Sequence, residues 1–147
     1  MLRSVKHLLL LCCTAAVVFG AGSLPTAPVK KFRLPTFNAE GFRTGFLTGE
    51  EALIVSAGQI DIKEMHLSTF SGDEAGTLET TLLAPVATVR VQEREQIRVE
   101  GKQSVRLVRP EVDATGQDWE YDHQNKRLLI RSDVHVVYRA VLKDFLK

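Results

Sequence analysis

The chain has 147 residues, 44% of them hydrophobic and 25% charged, and a formal net charge of +1. That is the size and composition of one globular domain, and it excludes collagen, coiled coil and wholesale disorder. The even charge balance argues against nucleic acid as a main partner, because phosphate binding shows as a basic excess.

Arg3 and Lys6 precede an apolar run from Leu8 to Phe19, which ends in the small residues Gly20, Ala21, Gly22 and Ser23. A positive start, a short apolar stretch and a small-residue exit make a secretory signal peptide over residues 1–22. The alternative is a retained membrane anchor, although a spanning helix needs about 20 apolar residues and this run is shorter. Either way the domain is expected in the periplasm, tethered to the inner membrane if the segment stays. Cys12 and Cys13, the two cysteines, both fall here. A processed chain therefore has no disulfide and no thiolate metal site.

Residues 23–37 carry three prolines and no periodicity, so they read as an extended leader ending in a first strand near Phe32–Phe37. The domain proper is expected over 38–147. From there the pattern has period two. Ile60 and Ile62 alternate with Asp61 and Lys63, then Met65 and Leu67 with His66 and Ser68. The apolar phase passes from even to odd between them, which predicts a β-bulge around Lys63-Glu64, or two separate short strands. Thr77–Val91 is rich in Thr, Val and Leu, and Pro85 divides it into two strands or one bent edge strand.

Ile97 and Val99, the turn Gly101-Lys102-Gln103, and Val105 and Leu107 read as a hairpin. Trp119 and Tyr121 alternate with Glu120 and Asp122 before a polar turn over residues 122–126. In the last segment Leu128, Ile130, Val134, Val136, Tyr138, Ala140 and Leu142 all occupy even positions. One apolar and one wet face make this a strand region, with Ser132-Asp133 as a possible break; residues 137–146 alone would also suit a short helix. Turn signals every 8–12 residues and no strong amphipathic helix predict an all-β fold: a single β-jelly roll or open β-sandwich of antiparallel strands.

The chemistry of an enzyme is hard to find. His66, His123 and His135 are widely spaced and form no metal-ligand pair. Asp118, Glu120, Asp122 and His123 form the densest polar cluster. It is either a carboxylate row for a cation or for acid–base work, or the solvated face of the strand that carries Trp119 and Tyr121. No Gly-rich phosphate loop and no nucleophile elbow occurs. No catalytic residue, metal ligand or cofactor is therefore assigned.

Several segments carry a family resemblance in their order. They are Val99-Glu100-Gly101 with Ser104-Val105-Arg106-Leu107, then Ala114, Gly116, Asp118, Trp119, Tyr121 and Asp122, then Lys126-Arg127-Leu128-Leu129-Ile130 with Ser132-Asp133-Val134-His135-Val136. Upstream, Gly58-Gln59-Ile60, Ile62, Leu67 and Phe70, followed by Thr80-Thr81-Leu82-Leu83-Ala84-Pro85, fit the same pattern. Over about residues 50–140 the chain resembles the periplasmic lipopolysaccharide-export proteins with OstA-like domains, the LptC and LptA type. The resemblance implies a β-jelly roll open along one side, which takes lipopolysaccharide acyl chains between its sheets. It also implies edge-to-edge assembly with like domains, powered by an ATP-driven ABC transporter in the inner membrane, and no catalysis.

Physically, Ile60, Ile62, Leu67, Leu82, Val89, Val91, Ile130, Val134, Val136 and Tyr138 would line the inner faces. They are core if the sheets close, and a lipid site if the sheets splay, with about 0.8 kcal/mol gained per methylene buried. Unpaired edges at the C-terminal strand and near Phe32–Leu47 would dock partners or further copies. The competing expectations are a secreted structural or adhesion module without ligand, and an enzyme using Asp118–His123.

Overall fold

A computed structural model describes residues 27–92 and 96–139. The segment 1–22, with Cys12 and Cys13, lies outside the described residues, as do Ala140 and Leu142 of the final alternating run. Eight strands follow in order: β1 (Val29–Phe37), β2 (Arg43–Ser56), β3 (Gln59–Phe70), β4 (Leu78–Val91), β5 (Ile97–Gly101), β6 (Val105–Val108), β7 (Val112–Asp122) and β8 (Arg127–Tyr138). They form one antiparallel sheet, and the fold is all-β. The first strand starts at Val29, inside the stretch read as leader.

The connections are short and chemically specified. Asn38 closes the β1–β2 turn by accepting from the Phe42 amide at 2.9 Å, and its Nδ2 ties that turn to the Gly72 carbonyl at 2.7 Å. Asp122 shapes the β7–β8 turn by accepting from the Asn125 amide at 3.0 Å, an Asx turn.

A row of distorted residues crosses the sheet. Lys31, Glu64, Asp118 and Asp133 all have positive φ, a conformation that L-residues seldom adopt. The strand registers place Lys31 opposite Glu50, Glu50 opposite Glu64, and Glu64 opposite Pro85. Lys102 meets Asp118 farther along the same row, where the Asp118 amide donates to the Lys102 carbonyl. At this row the buried phase changes in each long strand: from Leu47 to Ala52, from Met65 to Ile62, from Ala84 to Ala87, and from Gly116 to Trp119. The phase shift expected at Lys63-Glu64 is thus part of a bend shared across the sheet. Because β2, β3 and β4 change phase opposite one another, their pairing keeps its register through the bend.

Side chains close to the bend need room. A Cβ on Gly49 would lie 2.3 Å from Ile62 Cγ2, and one on Gly116 would lie 2.3 Å from Ile130 Cγ2 and 2.9 Å from the Ser132 carbonyl. β8 carries one further residue opposite Thr115–Gln117, so its inner face returns to even positions. Ile130 then pairs with Trp119 and Val136 with Ala114.

Two expectations are corrected here. Residues 97–107 are not a hairpin: β5 and β6 lie end to end, both pairing with β4 on one side and β7 on the other. The Gly101–Gln103 turn signal marks the bend, and the long neighbours β4 and β7 carry the chain straight past it. Residues 78–91 form one strand in the sheet interior, not two strands or an edge strand. Pro85 is tolerated there because it sits on the bend opposite the gap between β5 and β6, where ladder pairing is already interrupted. Ser132-Asp133 likewise marks a bulge inside β8 and no break.

The bent sheet closes over itself. Trp119, Tyr121, Ile62, Met65, Leu82, Val99 and Val105 are its largest fully buried apolar side chains. Tyr121 and His123 of the β7 end reach across to Thr69 and Gly45 of β3 and β2. Replacing Gly49 by Ala is expected to destabilise the fold by about 1–3 kcal/mol, since overpacking forces side chains and backbone aside. Urea unfolding of Gly49→Ala against the parent chain measures it; an unchanged midpoint would contradict the bend's packing.

Candidate functional site

The inner face is not uniformly filled. Between the layers lies a cavity of about 70 Å³. Leu34 and Thr36 of β1, Leu47 of β2, and Ile60 and Leu67 of β3 wall one side; Val89 and Val91 of β4, Ile97 and Val99 of β5, and His123 wall the other. Period-two alternation delivers these residues: Leu34 pairs with Leu47, Leu47 with Leu67, and Val89 with Val99, so each row presents one apolar face inward. The cavity reaches the surface beside the edge strand, where Leu34 is 41% exposed, and at Val91, which is 45% exposed.

The expected lining divides into four groups. Ile60, Leu67, Val89 and Val91 border the cavity. Ile62 and Leu82 are sealed in the core, and Ile130 packs against that core. Val134, Val136 and Tyr138 project from the edge strand β8, Tyr138 with 73% of its surface open. They share the inner-face side of Ala114 and Val112 but form no wall of the cavity. Leu34, Leu47, Ile97, Val99 and His123 were not expected at the site. His123 had a signal: it follows Trp119 and Tyr121 at spacing two, and that alternation points it inward.

The polar end of the cavity is built around Gly45. A Cβ there would collide with Thr36 Oγ1 at 2.6 Å and touch His123 Cε1 at 3.5 Å. Thr36 Oγ1 also lies 3.2 Å from Thr44 Oγ1. The His123 backbone is pinned by donation to the Ile97 carbonyl at 3.1 Å, and its ring stands edge-on to Tyr121 with centroids 6.3 Å apart. Below it, Thr69 Oγ1 and Tyr121 OH are buried without a partner of ordinary hydrogen-bond geometry, although the two hydroxyls are neighbours. Burial pushes the Tyr121 phenol above its usual range. Burial, and then the Lys126 ammonium, hold the His123 imidazole below its ordinary value, with Asp122 opposing them.

The Asp118–His123 cluster comes apart in the fold. His123 faces the interior, while Asp118 and Glu120 lie on the outer face among cations. Lys102 contacts Asp118 at 2.7 Å, and Arg98 and Arg131 contact Glu120 at 2.7 and 3.1 Å. Asp122 is engaged by Asn125. Among the described residues no group of three His, Cys, Asp or Glu side chains is placed to hold a metal ion.

β1 and β8 end the sheet, each paired on one side only among the described residues. β8 is fastened at its end by Asp113, which accepts from Arg106 at 2.6 Å and from Arg139 at 3.0 Å. The Arg139 amide adds a bond to the Glu111 carbonyl at 2.8 Å. No protein-family model matches the chain, and no curated protein matches it significantly.

Because His123 resists protonation when folded, the unfolded chain binds its proton first as pH falls below about 6.5. Stability from this group is complete above that value and is lost as pH drops through the lower folded value. Melting temperatures between pH 7.5 and 5 should therefore fall more for the parent than for His123→Phe; parallel curves would contradict the burial of a neutral imidazole.

Proposed function

We propose that this chain is a non-enzymatic periplasmic component of lipopolysaccharide transport to the outer membrane, of LptC or LptA type. It binds lipid A acyl chains between its two layers and passes them along a bridge of like domains joined edge to edge. The bridge is fed by the inner-membrane ABC transporter. One observation carries the reading: an apolar cavity between the layers opens beside an edge strand that is paired on one side only. The order of motifs along residues 50–140 supports the same assignment.

The physics suits a carrier that moves cargo on. At about 70 Å³ the cavity has room for roughly two groups the size of a water molecule. A longer acyl segment enters only if β1 yields, and β1 is held to the sheet by β2 alone among the described residues. Each methylene then buried contributes about 0.8 kcal/mol. Opening the layer offsets part of that gain, so cargo is held without being trapped.

The tightness of the core, with Trp119, Tyr121 and Ile62 sealed, favours one rival: a secreted structural or adhesion module without ligand. Photo-crosslinking separates the two. A crosslinker at Leu34 or Val91 should capture lipopolysaccharide, one at Val134 or Tyr138 should capture lipid or a neighbouring domain, and one at outer-face Arg98 should capture neither. No lipid adduct from any inner-face position would favour the rival.

Assembly has its own test. Val136→Pro removes a backbone donor from the β8 edge, and Val136→Lys places a charge there while leaving the backbone intact. Both should abolish association in sedimentation velocity, with Val136→Lys keeping the parent's circular dichroism. Undiminished assembly by a folded Val136→Lys chain would count against edge pairing through β8.

A further inference from the structure

The cavity is apolar except at one end, and that end is chemically particular. Of the side chains that wall it, His123 and Thr36 are the hydrogen-bonding ones. Among the described residues the His123 ring nitrogens have no hydrogen-bond partner, since its one bond there is made by the backbone amide. Immediately beyond lie two more unpartnered groups, Thr69 Oγ1 and Tyr121 OH, both on fully buried side chains. The register explains their grouping: Thr36 pairs with Gly45, Gly45 with Thr69, and Thr69 with Thr80. An inward polar row thus crosses β1 to β4 beneath the β7 end.

Such an arrangement is costly in a protein built only to be stable. A buried polar group left unpaired costs about 1–3 kcal/mol, and leucine or phenylalanine would fill the same volume without that penalty. An occupant that brings hydrogen-bonding capacity removes the cost. Its character follows from the walls. The rest of the cavity is hydrocarbon, so the occupant is a chain. A neutral imidazole offers one donor and one acceptor, and a threonine hydroxyl offers both as well. A hydroxyl group on the chain complements that pair, whereas a carboxylate would enter an apolar site uncompensated.

We infer that His123, with Thr36, is the specificity-determining contact of the cavity and selects an acyl chain that bears a hydroxyl group. This rests on the lipid-carrier reading and adds a discrimination to it. Gly45 is the positioning residue: its missing side chain admits both partners to the same end of the cavity.

The test uses the full chain and two kinds of probe. One is the methyl ester of a saturated straight-chain fatty acid; the other is a set of its isomers hydroxylated at successive positions. Binding is read as displacement of a fluorescent acyl probe, and the quantity of interest is the ratio between esters, so general loosening of the cavity cancels. At least one hydroxylated isomer should bind the parent about three- to tenfold tighter than the plain ester, as one net hydrogen bond implies. His123→Phe should bring that ratio to one while still binding the plain ester, and His123→Gln should keep most of it.

If both kinds of ester bind the parent equally, the carrier reading stands and hydroxyl selection is overturned. A preference that survives intact in His123→Phe overturns the assignment to His123. If neither ester displaces the probe, the carrier reading itself fails and takes this inference with it.

Discussion

When one strand gains a residue, every side chain beyond it passes to the opposite face. In an isolated strand that would turn its apolar set out to water. Here the change is taken along a row from Lys31 through Glu50, Glu64 and Pro85 to Asp118, so neighbouring strands move together. Their ladders stay in step while the sheet bends over its own face. The covered core, the cavity and the inward turn of His123 all depend on that shared shift. The residues at the row suit it: Gly49 and Gly116 leave space for Ile62 and Ile130, and the interruption between β5 and β6 absorbs the local strain.

How much of this could be read from the sequence depended on how local each signal was. The shift between Ile62 and Met65 was legible because clear alternation flanks it on both sides. Residues 128–138 were legible for the same reason, with even positions sharing one face. The Gly101–Gln103 segment misled, because a glycine and two polar residues between apolar pairs look alike in a tight turn and in a strand crossing a bend. Only the neighbours decide, and β4 and β7 are far away in sequence. Pro85 misled similarly: proline is excluded from an intact ladder, and nothing local says that the ladder is already broken beside it.

The candidate site was half legible. Alternation alone put Ile60, Leu67, Val89 and Val91 on inward faces. It could not say that Leu34 and Ile97 would meet them across the layers, since that follows from the bend. His123 was grouped with Asp118, Glu120 and Asp122 by proximity along the chain. Yet spacing two from Tyr121 sends it inward, while the carboxylates go out to Lys102, Arg98 and Arg131. Proximity in sequence is a poor guide on a strand, where adjacent residues look in opposite directions.

The same burial that makes a fold stable limits what it can carry. Close packing is unforgiving of displaced side chains, and a fully sealed pair such as Trp119 and Ile62 would have to be pulled apart to admit a guest. Burial falls off outward, to Leu34 on β1, Val91 at the end of β4 and Val134 on β8. Those positions have already lost part of their packing, so exchanging a water contact for a hydrocarbon contact there gains free energy with little disruption of the centre. Both edges are also guarded: Lys30 is tied to Glu51 on β1, and Arg106 and Arg139 converge on Asp113 beside β8. Charges of this kind oppose indiscriminate pairing of open edges. A firm centre, yielding rims and charged borders therefore confine any exchange, of lipid or of strand, to the two ends of the sheet.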